Sequence, residues 1–202
     1  MKKILSLGVL CGLISCASWR AGNTPLSAEL TAEQTKSIVK PHVSLTFKQY
    51  EVYSNGKLQP GDMTEDDKAQ VQKHIELSYK DSPLFTLVDN DSPNKDMSIE
   101  VSVARRFKSN ITMTVLNVVT LFMIPRKTTE EVIVTTRFLD KEGILVGMVE
   151  KSDEVIVWHQ FFMLFAMPFS LQSGVLDELY VDLNKASLLE AHNDGYFIDI
   201  ND

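Results

Sequence analysis

The chain has 202 residues and a formal charge of −7, with 20 Lys and Arg against 27 Asp and Glu. Its 44% hydrophobic and 23% charged residues are globular composition, which excludes disorder and collagen-like fibre and suits a single domain. The acidic balance and the lack of any long Lys/Arg run remove the counterion release on which nucleic-acid binding depends, so no nucleic-acid partner is expected.

Met1-Lys2-Lys3 is a short positive start, and Ile4 to Ile14 is an apolar run interrupted only by Ser6, Gly8, Cys11 and Gly12. Such a run is too short to span a bilayer and has the proportions of a signal-peptide core. It ends in Leu13-Ile14-Ser15-Cys16, which resembles the lipobox of bacterial lipoproteins. The resemblance covers residues 1–16. It implies a diacylglyceryl group on the Cys16 thiol, cleavage just before that residue and acylation of the new amino group, hence a lipid-anchored protein of the cell envelope. Ala17 in place of Asp implies the outer membrane, if the source is diderm. Cys11 leaves with the leader and Cys16 is consumed by lipid, so no disulfide is expected and the fold must rest on its core. Losing Lys2 and Lys3 takes the formal charge from −7 to −9.

Residues 18–41 are rich in Ser, Thr, Ala, Gln and Glu, carry Pro25 and Pro41, and hold few large apolar side chains. They read as a spacer, which divides the chain into a leader (1–15), a lipidated Cys with its tether (16–41) and one domain (42–202). From Val43 the pattern alternates through Leu45 and Phe47, then resumes one step out of phase at Tyr50 and Val52, as a bulged strand does. Thr64 followed by Glu65, Asp66 and Asp67 predicts a helix start, with Val71, Ile75 and Tyr79 on one stripe, so a helix is expected near 64–80. A short strand is expected at 84–88. Met97, Ile99, Val101 and Val103 predict a third strand, Val132 to Phe138 a fourth, and Ile144 to about Val149 a fifth, with a turn at 140–143. Leu176, Leu179, Leu183 and Ala186 mark a closing helix near 174–191. The fold class is α+β, with a mostly antiparallel sheet. This order resembles the small α/β modules of several envelope lipoproteins, including the lipopolysaccharide-assembly type.

Two uncharged segments, 111–125 and 155–169, do not fit a small water-soluble sheet. Neither has the 20 or so apolar residues of a spanning helix. If the last three strands form a meander, both segments fall at one end of the sheet, away from the turn at 140–143. Arg105, Arg106 and Lys108 precede the first segment and Arg126 and Lys127 follow it, a basic collar suited to anionic headgroups. Leu121, Phe122, Trp158, Phe161 and Phe165 are the candidate contacts to lipid or to an envelope protein partner, with Arg105, Arg106, Arg126 and Lys127 around them. On a helix, Thr114, Asn117 and Thr120 share one narrow stripe of an otherwise apolar segment. Packing of both segments into the core explains the same composition, and leaves a structural or surface-exposed lipoprotein.

Catalytic signatures are missing. The four His (His42, His74, His159, His192) show no metal-ligand spacing, and Glu190-x-His192-x-Asp194 reads as a helix cap followed by a turn. Asp89-x-Asp91 with Asn94 and Asp96 lacks the pattern of a calcium loop. The expectation is therefore a non-catalytic, membrane-anchored lipoprotein without metal or cofactor, the alternative class being an envelope-acting enzyme whose site carries no recognisable motif.

Overall fold

A computed structural model describes residues 16–22, 40–59, 64–89, 94–159 and 172–197. The elements are β1 (Cys16–Arg20), β2 (His42–Ser54), β3 (Lys57–Leu58), α1 (Glu65–Lys80), β4 (Leu87–Asp89), β5 (Met97–Ser109), α2 (Ile111–Val119), β6 (Arg126–Asp140), β7 (Leu145–His159) and α3 (Gln172–Asn193). Seven strands form one sheet in the order β1-β7-β6-β5-β2-β3, with β4 also on β2. Pairing is antiparallel except where β2 meets β4 and β5. The chain between β2 and β5 includes α1, and a helical crossover is what a parallel pair requires. The fold is α+β as the pattern predicts.

Thr64 starts α1 through a capping box: its hydroxyl accepts from the Asp67 amide and the Asp67 carboxylate accepts from the Thr64 amide. The expected bulge in β2 lies between Phe47 and Gln49. It keeps Tyr50 and Val52 buried together with Val43 and Leu45 although the strict alternation breaks. The third, fourth and fifth strands are longer than the apolar pattern suggests, because β5, β6 and β7 continue as partly polar ribbons beyond the core. The short strand expected at 84–88 is confined to 87–89, while Leu84 and Phe85 enter the core from the turn before it.

Helices α1 and α3 cover one face of the sheet. There Ile75, Tyr79, Leu179 and Leu183 meet Val101, Val134, Phe138 and Val155, all of them 1% exposed or less. The other face carries ion pairs such as Lys48 and Arg137 with Glu100, at 3.0 and 3.1 Å. At the end of α3, Gly195 takes φ +80° and donates to the His192 carbonyl, while the Asp194 amide donates to Glu190. The Glu190, His192 and Asp194 positions thus form a helix end.

One boundary differs from expectation. Residues 16–20, read as the start of a tether, form the edge strand β1 along β7, from Cys16 opposite His159 to Arg20 opposite Val155. Charge and hydrogen bonding hold this strand, which is why apolar patterning does not reveal it. Ser18 is buried, and Arg20 bridges Asp153 of β7 (2.8 Å) and Asp182 of α3. Burial works against the Arg20 charge, but its hydrogen bonds and attraction to the two carboxylates more than compensate and raise its pKa.

Candidate functional site

Strand register defines the two ends of the sheet. At one end β6 turns back into β7 between Asp140 and Leu145. At the other, α2 links Ser109 to Arg126, His159 stands opposite Arg126, and Cys16 stands opposite His159. Cys16, His159 and Arg126 therefore share one rung at the α2 end. Strand β7 ends here at His159; residues 160–171, with the candidate contacts Phe161 and Phe165, lie outside the described residues.

Helix α2 is inverted. Its polar stripe faces inward: Asn117 is only 1% exposed, and its amide donates to the carbonyls of Ile124 (2.6 Å) and His159 (3.2 Å). The apolar side faces out, with Ile111 71%, Val119 73% and Leu121 68% exposed and Val115, Val118 and Met123 beside them. Asn110 caps the first turn by accepting from the Met113 amide. Immediately after the helix, Leu121 and Phe122 both adopt left-handed backbone, at φ 51° and 65°. Their amides donate to Val118 and Asn117, which holds the turn in place. For side chains of this size such a conformation costs about 1–2 kcal/mol per residue. The turn throws Leu121 outward and leaves Phe122 half-buried.

The expected aromatic and basic residues divide between the two faces of the sheet. Trp158 is half-buried and stacks on Trp19 with ring centroids 6.3 Å apart. On its rung, Lys127 is exposed. Arg106 and Lys108 share Glu131, at 4.0 and 3.4 Å. Arg105 departs from the expected collar because its position in β5 turns it under the helices. There it pairs with the fully buried Glu130, donates to the Tyr50 hydroxyl (2.8 Å) and lies over the Phe107 ring. Arg126 remains at the end, half-buried against α2. Sequence reasoning missed Trp19, which lay in a segment read as spacer. The spacing of Thr114, Asn117 and Thr120 was the signal for the helix's buried stripe.

Burial, and then the neighbouring charge of Arg126, lower the pKa of His159. A histidine that is harder to protonate when folded gives stability that is lost as pH falls below its unfolded value, near 6.5. His159 should therefore titrate below that value by NMR, and Arg126→Gln should move its midpoint upward.

A separate cleft of about 300 Å³ opens between α1 and α3 over Tyr50, Val71, Arg105 and Tyr180. Its carboxylates are engaged: Asp67 in the α1 cap, Asp177 with Gln70 and His74. Among the described residues no group of three or more His, Cys, Asp or Glu is arranged to hold a metal ion. No described helix is long and apolar enough to cross a membrane.

No family model matches the chain, and no curated protein matches it. Among solved structures, it is similar to a Helicobacter pylori homolog of a neuraminyllactose-binding hemagglutinin, with TM-score 0.42 and 8% identity over 87% of this chain and 95% of that one. It is also similar to the PelC dodecamer of Paraburkholderia phytofirmans in two crystal forms. Both give TM-score 0.31, with 10% and 9% identity over 87% of this chain and 95% and 94% of those. Similarity at this level carries no argument about function.

Proposed function

We propose that the chain is a non-catalytic, lipid-anchored envelope lipoprotein whose sheet meets the bilayer at its α2 end. One observation carries this reading: an inverted helix, apolar side outward, stands at the end of the sheet where Cys16 begins β1. A contiguous apolar surface of this kind is costly in water and marks a contact with lipid or protein. Lipid is adjacent if Cys16 is acylated. Strands lie about 4.8 Å apart, so Cys16 and Arg126, with β7 between them, are separated by about 10 Å across the sheet. Since β1 starts at Cys16 itself, the anchor has no spacer before the fold and holds the domain flush with the membrane.

The other features of this end agree. Ile111, Val115, Val119 and Leu121 enter the boundary between headgroups and acyl chains, as an interfacial helix does. Trp19 and Trp158 suit interface depth, where a ring tolerates one wet and one dry side. Lys127 and Arg126 add about 1 kcal/mol each toward anionic lipid. Strain in the Leu121–Phe122 turn is retained because it presents Leu121. In a diderm source the membrane is the outer one.

Replacing Cys16 by Ala tests the anchor. The variant should accumulate as an unprocessed precursor or a soluble exported protein, since interfacial contact alone is weaker than anchoring by acyl chains. Detergent-phase partitioning distinguishes the outcomes. A variant that loses its leader yet remains wholly in the detergent phase would overturn the lipobox assignment.

A further inference from the structure

Four of the five arginines face a carboxylate: Arg20 meets Asp153 and Asp182, Arg105 meets Glu130, Arg106 meets Glu131 and Arg137 meets Glu100. Arg126 meets none among the described residues. Its two terminal nitrogens donate to the hydroxyls of Thr114 (3.4 Å) and Thr128 (3.2 Å), which are long bonds. Its Nε is shut off from solvent and has no hydrogen-bond partner. A guanidinium that meets only neutral partners among the described residues, and is half-buried, lacks there the counter-charge that normally offsets the cost of removing it from water.

What fits it is an anion with several acceptor oxygens. A guanidinium binds phosphate through paired N–H donors, and the Thr128 hydroxyl adds a donor to an oxyanion, whereas that of Thr114 already donates to the Asn110 carbonyl (3.0 Å) and only orients Arg126. Position selects the source of that phosphate. Arg126 is on the rung of Cys16 and His159, and α2 covers it with its apolar side turned outward. A diacylglyceryl group on Cys16 fixes the headgroup plane at that rung, so the phosphates of neighbouring lipids lie at the depth of Arg126 while α2 reaches the acyl chains beyond them.

We propose that Arg126, with the hydroxyl of Thr128, seats the phosphate of a glycerophospholipid in the leaflet that holds the anchor. The inference rests on the reading of the α2 end as the membrane-facing one. It adds selectivity: the end recognises a phosphodiester and does not merely adhere to an apolar or negative surface.

Both tryptophans of the chain, Trp19 and Trp158, stack at this end and report on it. The experiment titrates the mature lipidated protein, residues 16–202, in neutral detergent, with dihexanoyl phosphatidylglycerol, with dihexanoylglycerol and with inorganic phosphate, following tryptophan fluorescence. The phospholipid should saturate the signal at a concentration at least about tenfold below that of the other two, as one charge-assisted bidentate contact provides. Arg126→Gln should shift the phospholipid curve onto that of dihexanoylglycerol. If the Gln variant melts early, Arg126→Lys replaces it, and a loss of about threefold or more is expected because the paired donors are gone while the charge remains. Equal binding of the two lipids by the wild type overturns the phosphate seat and leaves the membrane-facing reading intact. Binding of neither lipid overturns both. Inorganic phosphate binding as tightly as the phospholipid shows that the anion is not lipid-borne, and so overturns the proposed source. An unshifted curve in a folded Arg126 variant removes Arg126 from the site.

Discussion

Arg20→Leu should destabilise the domain by about 3–5 kcal/mol, because it leaves two carboxylates without their cation where water cannot replace it. The Asp153 side chain is fully buried and that of Asp182 is 10% exposed, whereas Arg20 itself is 13% exposed. The same guanidinium ties three elements together, β1, β7 and α3, so its loss should also free the edge strand. A penalty of that size is a large share of the 5–15 kcal/mol that a domain typically has. Denaturant midpoints of the variant and parent provide the measurement, with hydrogen exchange in residues 16–20 as the local readout. Adding Asp153→Leu and Asp182→Leu should recover most of the loss, since an apolar cluster in place of a whole buried ionic one is often neutral or stabilising. A penalty under about 1 kcal/mol for Arg20→Leu alone would mean that β1 is not docked by this bridge. The flush anchoring proposed for Cys16 would then lose its structural basis.

The second large effect concerns the outward side of α2. Val119→Asp combined with Leu121→Asp should weaken binding to anionic vesicles by about a hundredfold or more. Fully burying one such side chain is worth about 1.5–3 kcal/mol, and each new carboxylate is also repelled by the surface. The assay uses residues 16–202 carrying Cys16→Ser, so that neither leader nor acyl chain masks the contact. Binding by the parent should weaken as salt rises, through screening of Arg126 and Lys127. At 73% and 68% exposure the two positions tolerate charge in the folded protein, and the melting temperature should move little. Phe122, half-buried after a left-handed Leu121, suits the test less well. Unfolding of the double variant together with no vesicle binding by its parent would mean that α2 belongs to a buried interface. A protein partner would then be the occupant to seek.

Much of the architecture was readable from residue order. Alternation at Val43, Leu45 and Phe47 and its shift at Tyr50 mark β2 and its bulge, since a period of two broken by one residue has few other solutions. Thr64 with Asp67 marks the start of α1 because the cap is a local bond between neighbours in the chain. Leu176, Leu179 and Leu183 mark the stripe of α3 on the same ground. The polar stripe of α2 was visible in Thr114, Asn117 and Thr120, but the period alone does not say which side of a helix faces in. Normally the apolar side does, and here the carbonyls of Ile124 and His159 draw Asn117 inward instead.

The chain by itself thus determined the α+β class, the succession of β2 and of β4 to β7, and the gathering of α2 and the end of β7 at one end of the sheet, all of which follow from local periodicity and turn geometry. Tertiary structure alone decided that 16–20 is a strand, that Arg105 belongs under the helices, and that Arg126 is the arginine that meets no carboxylate among the described residues. Each of these depends on a partner distant in sequence: Arg20 finds Asp182 across 162 positions and Arg105 finds Glu130 across 25. A charge in the sequence carries no record of the charge that will face it. Whether it ends as a bridge, a buried pair or an open seat for a ligand is settled only when the sheet brings those distant residues onto one rung or under one helix.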